Sequence, residues 1–332
     1  MRERPAGMRE GDLRLALAEG WRIGAADLCY VPVGGGSYHW EVRDGGGPRW
    51  FVTVDDLDDK PWLGEGRTAV LAGLRSAMDT ALALRRDAGL AFVAAPVPGA
   101  GGETVRPVDA RYAVAVFPFV RGTPGEFGAV RSARERAALV DMLAALHRST
   151  PAAGRAPVAR IALPRRADLD ADLAELGRPW RSGPLAEPAR ALLTGAEALV
   201  RERLAAFDQL AEDAAAAEPV ITHGETHAGN VLWTGTERVL VDWDTVGLAP
   251  PERDLWMVVG ETGGDCDRYA RATGRTVDRE LLAFYRLRWA LDDLSAFTHR
   301  LRGAHGRTAD AEHGWRSLDV TVEHLRLDQA GR

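Results

Sequence analysis

The sequence predicts an α+β fold of two lobes, the first rich in β-strands and the second mainly helical. Its 332 residues exceed the roughly 150 expected for one domain, so two lobes are the natural expectation. Glycine clusters separate short apolar runs between residues 28 and 55, which is typical of strands joined by tight turns. From residue 132 onward, apolar residues recur at helical spacing. We place an N-terminal lobe at residues 1–118 and a C-terminal lobe at residues 119–332.

The N-terminal elements follow from local patterns. The runs LCYVPV, YHWEV and RWFVTV predict a three-stranded antiparallel meander. Apolar residues at helical spacing over residues 68–90 predict a helix packed on that sheet. The runs AFVAAPVP and RYAVAVFPFV predict two further strands. Because the Pro and Gly residues of PFVRGTPG cannot continue a regular element, we expect a hinge between Pro118 and Gly125.

The C-terminal lobe is expected to be helical except around residues 219–243. Ser132 and Glu135 form a capping-box signature at the start of one helix. Residues 165–217 and 277–302 carry helix-forming residues with helical periodicity. Between these segments, the short run VIT and the hairpin VLW/TGTE/RVLVDW predict an island of β-structure.

Composition and charge exclude several classes of protein. The chain is 46% hydrophobic and 27% charged, which is ordinary for a folded protein. It has no run of about 18 apolar residues and no apolar stretch after its charged first residues, so we expect a cytoplasmic protein without a membrane partner. The net charge of −6 argues against a nucleic-acid partner and favours a cationic ligand. The two cysteines, Cys29 and Cys266, are too few for a disulfide framework or a CxxC metal site.

The segment ITHGETHAGNVLWTGTERVLVDWD concentrates polar side chains that suit phosphoryl transfer. This reaction needs a carboxylate to orient or deprotonate the attacking hydroxyl, and oxygen ligands to hold Mg²⁺ against the nucleotide phosphates. Glu225, Asn230 and Asp242 could supply these groups. A carboxylate followed five residues later by Asn matches the spacing of kinase catalytic loops, and an acidic residue after the next hairpin matches a second metal ligand.

The segments HGETHAGN and VDWDTVGLAPPERDLW together resemble the catalytic loop and metal-binding segment of the aminoglycoside phosphotransferase and choline kinase-like superfamily. The nearest resemblance is to the spectinomycin phosphotransferase group. The glycine loop VGGGSYHW, the strand RWFVTV, the FPFVRG hinge and the helix YRLRWALDDLSAF occur in the family's order and cover most of the chain.

The resemblance implies a protein-kinase-like fold in which the N-terminal lobe binds ATP or GTP at the hinge. It places Mg²⁺ on Asn230 and Asp242, and it puts Glu225 at the position of the catalytic base, where His223 would brace the loop. The implied nucleotide-binding residues are Gly34, Gly35, Gly36, Ser37, Thr53, Lys60, Phe119 and Val120.

Two positions depart from the family pattern. The family's loop normally has Asp where this chain has Glu225, whose side chain is one methylene longer. The third strand normally carries a phosphate-pairing lysine where this chain has Thr53, and a neutral hydroxyl cannot replace that charge. Lys60 is the only lysine in the sequence and is one candidate substitute, although the chain must fold back beyond the strand end to bring it to the phosphates. Arg43 on the second strand is another.

Other polar residues allow more than one interpretation. His223 and His227 flank Glu225 as HxExH, but the spacing is not that of a zinc protease and no third ligand stands out, so zinc is disfavoured. Asp244 reads as a solvated neighbour of Asp242. The predicted contacts to a cationic substrate are His227, Asp265, Asp267, Asp292 and Asp293, with solvated surface charge as the alternative for each acidic residue.

These observations favour a nucleotide-dependent O-phosphotransferase that acts on an aminoglycoside or a related amino-sugar compound, in resistance or in antibiotic biosynthesis. A kinase of another small alcohol, such as a sugar, homoserine or a choline-like metabolite, is the alternative within the same class. A pseudokinase that binds ligand without turnover is the alternative from a different class, motivated by Thr53 and Glu225 together.

Overall fold

A computed structural model describes residues 1–126, 128–129, 131–154, 156–260 and 262–330. The chain forms two compact units, the first made of residues 1–159 and 218–278 and the second of residues 160–217 and 279–332. The lobe boundary at residue 118 stays a prediction; it falls inside the first unit, at the end of a strand.

The elements in chain order are α1 (Glu10–Trp21), β1 (Asp27–Val31), β2 (Tyr38–Arg43), β3 (Arg49–Asp56), α2 (Arg67–Arg86), β4 (Arg106–Pro107), β5 (Tyr112–Pro118), β6 (Thr123–Pro124), α3 (Ala133–Arg148), α4 (Arg166–Ala174), α5 (Ala186–Ala216), β7 (Val220–Thr222), β8 (Val231–Trp233), β9 (Arg238–Leu240), β10 (Gly247–Ala249), α6 (Glu252–Leu255), α7 (Gly264–Thr273), α8 (Arg279–Arg302) and α9 (Ala309–Ala330). The five strands of the largest sheet lie in the N-terminal part and most of the helical residues in the C-terminal part, which confirms the predicted α+β class.

The first unit contains an antiparallel sheet in the order β1-β2-β3-β5-β4. It confirms the predicted meander and the strand in RYAVAVFPFV. The strand predicted for AFVAAPVP is wrong, because residues 91–98 form only one isolated bridge, from Val93 to Leu240. Pro96 and Pro98 have no backbone N–H to donate to a strand ladder.

A helix covers each face of this sheet. The sequence did not predict α1, which buries Leu13 and Leu17 against Trp40 and the other large apolar residues of one face. The predicted second helix is confirmed as α2, which packs on the opposite face around Ala115. Residues paired across neighbouring strands point to the same side of a sheet. His39, Thr53 and Ala115 are such partners in register, so they share the α2 face.

The remainder of the first unit holds short strands between helices. β6, β8 and β9 pair in that order, and β7 pairs with β10, which confirms the predicted strand VIT and the predicted hairpin. The capping box before α3 is also confirmed, because the Ser132 hydroxyl accepts from the Glu135 backbone N–H and the Glu135 carboxylate accepts from the Ser132 N–H. These caps fix where α3 begins.

The second unit is helical and consists of α4, α5, α8 and α9. Phe207 of α5 stacks on Phe284 of α8 with ring centroids 5.2 Å apart. The predicted helical segments 165–217 and 277–302 are confirmed by α4, α5 and α8. The sequence interpretation missed α9, which buries Leu318, Val322 and Leu325 at helical spacing.

Two observations concern the described residues as a whole. None of their helices combines the length and apolarity needed to cross a membrane. Within the described residues, neither Cys29 nor Cys266 forms a disulfide.

Gly73 in α2 packs closely against Leu63, which lies in the loop after β3. A Cβ added at Gly73 would lie 2.3 Å from the Leu63 carbonyl oxygen. Leu63 in turn donates its N–H to the Lys60 carbonyl at 3.1 Å. We expect Gly73→Ala to lower the free energy of unfolding by about 1–3 kcal/mol through overpacking, measured by urea denaturation.

The matched control is Gly195→Ala in α5, since a Cβ there meets nothing within 4 Å. Replacing an exposed helical glycine removes its extra backbone freedom, so this variant should gain up to about 1 kcal/mol. Equal unfolding free energies for the two variants would contradict the close contact at Gly73.

Candidate active site

The predicted catalytic loop connects β7 to β8, and its backbone is held by buried side chains. Asp254, in α6, is fully buried. Its Oδ1 accepts from the Gly224 N–H at 2.6 Å and its Oδ2 from the His223 N–H at 2.8 Å, while its carbonyl accepts from the Thr226 hydroxyl at 2.7 Å. Asp254 therefore holds the loop on both sides of Glu225.

Electrostatics keep the Asp254 brace charged. Burial disfavours a carboxylate, but the hydrogen bond from His147 and the nearby Arg253 guanidinium help to outweigh this cost and hold the pKa of Asp254 below its usual range. A charged carboxylate can accept from several backbone N–H groups at once.

His223 is a second brace. Its Nε2 lies 2.9 Å from the Val241 carbonyl oxygen, and its Nδ1 accepts from the Glu225 N–H at 3.2 Å. Burial lowers the pKa of His223 to about 4, so the ring is neutral at pH 7. A neutral ring that donates from Nε2 and accepts at Nδ1 satisfies both contacts. His223 thus connects the loop to Val241 through hydrogen bonds, and its part in the chemistry stays a prediction.

The two predicted metal ligands lie next to this loop. Asn230 donates from its side-chain amide to the Glu225 carbonyl oxygen at 3.0 Å, which leaves its Oδ1 as an acceptor. The Val241 N–H donates to the Asn230 carbonyl oxygen at 3.0 Å, so Asp242 directly follows the residue paired with Asn230. An amide oxygen and a carboxylate are ligand types that suit Mg²⁺. The donor chemistry of the pair therefore fits this metal.

Asp242 has an unusual backbone and an unusual carboxyl group. Its φ of 67° lies in the left-handed region, which residues other than glycine seldom adopt and which often occurs at functional sites. The surrounding protein keeps water away from the Asp242 carboxyl group, and the Asp244 carboxylate repels its negative charge. Together they raise the pKa of Asp242 to about 7. The residue as a whole still has an exposed surface. A bound cation would relieve this repulsion between carboxylates.

Lys60 occupies the centre of the first unit. The chain folds back after β3, as the substitute hypothesis requires, and the Lys60 ammonium is fully buried. It lies 2.9 Å from Asp55 Oδ1, 2.5 Å from Asp244 Oδ2 and 3.1 Å from the Ser37 hydroxyl. Burial alone would favour the neutral amine, but Asp244 and Asp55 outweigh it and raise the pKa of Lys60.

Two interpretations of the sequence are corrected by this arrangement. Asp244 is not a solvated neighbour, because it is buried and paired with Lys60. Arg43 lies at the far end of β2 from the glycine loop, where its guanidinium contacts Glu41 at 3.2 Å. Arg43 is five positions along the strand from Tyr38, a distance of about 17 Å. Arg43 is therefore excluded as the substitute for the missing lysine.

The predicted glycine loop joins β1 to β2. Gly34, Gly35 and Gly36 are exposed, and Gly34 has a φ of 69°, so their backbone N–H groups can be approached closely. The Ser37 hydroxyl, predicted to contact the nucleotide, donates to Asp55 Oδ1 at 2.6 Å. A phosphate contact by Ser37 stays a prediction.

His39 was missed by the sequence interpretation. It is paired in register with Thr53, which puts both side chains on the α2 face of the sheet. Its ring stacks on Phe51 with centroids 5.1 Å apart. Burial, the chain's N-terminal ammonium and Lys60 lower the pKa of His39 to about 3, so this ring is neutral. The alternation of side chains along RWFVTV was the one sequence signal that could have indicated the shared face.

The predicted hinge residues follow β5. Phe119 donates its backbone N–H to the Arg49 carbonyl oxygen at 3.3 Å, and the Arg49 guanidinium lies 3.9 Å from the centre of the Phe119 ring. Val120 is half-buried. A nucleotide contact by Phe119 or Val120 stays a prediction.

The predicted substrate contacts fall into two groups. In the first unit, Asp265 is buried and accepts from Arg136 Nε at 2.7 Å and from the Gly260 N–H at 2.9 Å, while Asp267 is exposed. Burial and the Arg131 charge lower the pKa of His227 to about 4, so His227 is neutral. Asp265 thus holds Arg136 and the backbone at Gly260 in place. Substrate contacts by Asp265, Asp267 and His227 stay predictions.

The second group lies on α8 in the second unit. Burial, together with the Asp292 charge, raises the pKa of Asp293 to about 7. Trp289, one turn earlier, hydrogen-bonds to the Asp293 carboxyl group. Asp292 lies 3.7 Å from Arg288 at its nearest charged atom. A partly buried carboxyl group of this kind would gain from a cationic neighbour.

The zinc alternative finds no support in the geometry. Among the described residues, no three His, Cys, Asp or Glu side chains form a cluster able to hold a metal ion. His223 uses both ring nitrogens for contacts within the protein. A metal at this site would depend on Asn230, Asp242 and oxygen atoms of a bound nucleotide.

Residues 30–297 match the model of the phosphotransferase enzyme family. The chain belongs to this family. It is accordingly an enzyme, a phosphotransferase. The resemblance stated from the catalytic segments is thereby confirmed.

The similarity to known proteins extends over nearly the whole chain. Protein StrN of Streptomyces griseus is 29% identical over 303 residues, which cover 88% of this chain and 85% of StrN. A spectinomycin phosphotransferase, APH(9)-Ia, solved with ADP and spectinomycin, superposes with a TM-score of 0.73 at 16% identity over 96% of this chain and 98% of that one. A microcompartment-associated aminopropanol kinase gives a TM-score of 0.58 at 17% identity over 97% and 98% of the two chains. The phosphotransferase fold is thus confirmed.

Gly224 tests the loop geometry of this phosphotransferase. Its φ is 97°, and a Cβ there would lie 2.3 Å from Nη2 of Arg253. The Arg253 guanidinium donates to the Thr222 hydroxyl and to the Thr245 carbonyl oxygen. We expect Gly224→Ala to displace Arg253 and the start of the loop, and to lower kcat by about a hundredfold, since small misplacements at a catalytic site are costly. Steady-state kinetics measures this loss.

Gly235→Ala is the matched control for backbone strain. Gly235 has the same φ of 97°, but a Cβ there meets nothing within 4 Å. Both variants should lose about 1–2 kcal/mol of stability from the left-handed backbone, while only Gly224→Ala should lose activity. Similar kcat values in the two variants would show that Arg253 does not position the loop.

Proposed function

We propose that this enzyme uses Mg²⁺ and ATP or GTP to phosphorylate a hydroxyl of an aminoglycoside or related amino-sugar compound, in antibiotic resistance or biosynthesis. One observation carries the proposal. The loop held by Asp254 presents Glu225 beside Asn230, and Asp242 follows the hairpin partner of Asn230. A base and two metal ligands on one rigid backbone are what phosphoryl transfer requires.

Asn230 and Asp242 would hold the metal. Mg²⁺, when bound, supplies positive charge that neutralises the nucleotide phosphates during transfer. The strained backbone of Asp242 and the repulsion between its carboxylate and Asp244 both support a role that is not structural.

Glu225 is the proposed base. Its carboxylate orients the acceptor hydroxyl and takes its proton as the hydroxyl oxygen bonds to the γ-phosphorus and the bond to the β-phosphate oxygen breaks. The backbone at Glu225 is held by two hydrogen bonds. The Gly224 N–H donates to Asp254, and the Glu225 N–H donates to His223. A fixed backbone lets the longer side chain reach one defined position.

Lys60 and the glycine loop are proposed to bind the nucleotide phosphates. The Lys60 ammonium is 3.1 Å from the hydroxyl of Ser37, which directly follows Gly36, and 2.5 Å from Asp244, two residues after Asp242. It therefore lies between the glycine loop and the segment that carries Asp242. Thr53, Phe119 and Val120 would line the remainder of the nucleotide site.

The amino-sugar acceptor rests on charge and on similarity. The chain carries a net charge of −6, and α8 offers Asp292 and Asp293, of which Asp293 has a raised pKa. The similar APH(9)-Ia was solved with spectinomycin. A small amino alcohol is the second candidate, favoured by the likeness to an aminopropanol kinase.

A substrate panel tests the proposed function. The enzyme is incubated with labelled ATP or GTP and with aminoglycosides, aminocyclitols, amino alcohols and neutral sugars, and phosphorylated products are identified by mass spectrometry. We expect adducts on amino-sugar compounds, and none with Asp242→Asn. Phosphorylation confined to neutral sugars or to amino alcohols would overturn the proposed acceptor class.

The role of Lys60 needs a design that separates binding from folding. Removing Lys60 alone would leave Asp55 and Asp244 buried without a counter-charge, which costs about 3–5 kcal/mol. We therefore compare the double variant Lys60→Met/Asp55→Asn with Asp55→Asn alone. The double variant should raise the nucleotide KM by about tenfold or more, because a charged hydrogen bond to phosphate is lost.

The same nucleotide KM in both variants would mean that Lys60 only joins Asp55 to Asp244. Adding Thr53→Lys to the double variant places a lysine on the α2 face of the sheet. It should restore part of the nucleotide affinity if that face binds the phosphates.

Glu225→Asp tests whether the site is adapted to its longer base. In an adapted enzyme the carboxylate retracts by one bond, and kcat should fall about ten- to a hundredfold. Glu237→Asp on the exposed turn of the β8–β9 hairpin is the control for a shortened acidic side chain. A higher kcat in Glu225→Asp would show instead that the native site has lost efficiency.

Asp293 gives a test of substrate charge. Its pKa of about 7 means that roughly half of the molecules carry a protonated carboxyl group at pH 7. A cation bound beside it favours the charged form, so binding should release up to about half a proton. Titration calorimetry in buffers of different ionisation enthalpy measures this release.

Asp293→Asn should abolish the proton release, and the exposed Asp267→Asn should not. Binding of the cationic substrate with no proton release in the unaltered enzyme would remove Asp293 from the substrate site.

A further inference from the structure

A buried histidine behind the catalytic loop has both ring nitrogens engaged. His147, at the C-terminal end of α3, lies with Nε2 3.1 Å from Asp254 Oδ2 and Nδ1 2.8 Å from the Tyr269 hydroxyl. His147 is 2% exposed and Tyr269 is fully buried. The two rings meet edge to face, with centroids 5.5 Å apart.

The Asp254 carboxylate fixes the direction of one of these hydrogen bonds. A charged carboxylate only accepts, so Nε2 of His147 carries a proton and donates to Asp254. Nδ1 and the Tyr269 hydroxyl can each donate or accept, and their contact orients the ring in either case. The result is a hydrogen-bonded chain from Tyr269 through His147 to Asp254.

The end of this chain is the carboxylate that holds the catalytic loop. Asp254 Oδ2 accepts from both His147 and the His223 N–H, and Oδ1 accepts from the Gly224 N–H. Three donors fix the plane of the carboxylate. Without His147, each oxygen would keep one loop donor, and the carboxylate could rotate together with the loop that it holds.

We propose that His147, oriented by Tyr269, is a positioning residue that fixes the Asp254 carboxylate and, through it, the backbone leading to Glu225. His147 and Tyr269 lie behind Asp254 and are assigned no contact with the reacting atoms. Apolar side chains of similar volume could fill this buried space without the cost of burying polar groups. The polar chain is therefore better explained by what it does for Asp254 than by packing.

Three variants test the proposal by removing different parts of the chain. His147→Leu removes both hydrogen bonds, Tyr269→Phe removes only the hydroxyl, and His147→Gln keeps an N–H donor near the position of Nε2. Ser149→Ala is the control, because this residue lies two positions further on and its hydroxyl bonds only to the Ala145 carbonyl oxygen of its own helix. Folding is checked by thermal unfolding.

Two readouts are needed, and one of them does not depend on the substrate. Amide hydrogen exchange of residues 222–226, followed by mass spectrometry, reports directly on the loop. It should accelerate by about tenfold or more in His147→Leu, less in Tyr269→Phe, and not in Ser149→Ala. Steady-state kinetics on an accepted substrate should show kcat falling by about tenfold in His147→Leu, with the nucleotide KM within about twofold of its original value.

The conservative variant and the double variant sharpen the result. His147→Gln should recover most of kcat and most of the loop's protection. Adding Tyr269→Phe to His147→Leu should cost nothing further, since Tyr269 acts through His147. A lower melting temperature with unchanged exchange and unchanged kcat in both His147→Leu and Tyr269→Phe would overturn the proposal. If His147→Leu fails to fold, Tyr269→Phe alone decides. A lack of turnover on amino sugars bears only on the proposed function.

Discussion

A buried ammonium group requires carboxylates around it, and the architecture of the first unit follows from how Lys60 meets this requirement. Water cannot solvate its charge, so Asp55 and Asp244 must both lie within ion-pair distance. Asp55 lies next to the last residue of β3, Asp244 lies two residues after Asp242, and Ser37 brings the glycine loop to the same cation. One charge thereby fixes three segments that are far apart in sequence. Any rearrangement that separated them would leave an unpaired charge in the core.

The catalytic loop obeys a related constraint, because its irregular backbone has no strand or helix partner for its N–H groups. Buried N–H groups must find acceptors, and here those acceptors are the side chains of Asp254 and His223. Gly224 is needed at the centre, where a positive φ and the nearby Arg253 guanidinium leave no room for a Cβ. This bracing acts on the backbone alone, so it is the same for Glu225 as for the shorter acid of the family pattern. The backbone position is set independently of the side chain that it carries.

Local signals in the sequence predicted the parts of the fold that local interactions determine. The meander, the helix begun by Ser132 and the β8–β9 hairpin depend on residues only a few positions apart. The strand predicted for residues 91–98 failed because its prolines outweigh its apolar pattern. Asp244 was misread because its partner, Lys60, is 184 positions away. His147 gave no signal either, since an isolated histidine in a helix acquires a role only when α6 and α7 pack behind it.

All residues of the proposed chemistry fall within one of the two units. Glu225, Asn230, Asp242 and Lys60 all belong to the first unit, whereas the second unit is built from residues 160–217 and 279–332. The first of these segments is an insertion between α3 and β7, and the second follows α7. Substitutions there change no residue of the Lys60 cluster or of the braced loop. The second unit can therefore vary in sequence while Lys60, Asp254 and His223 keep their contacts within the first.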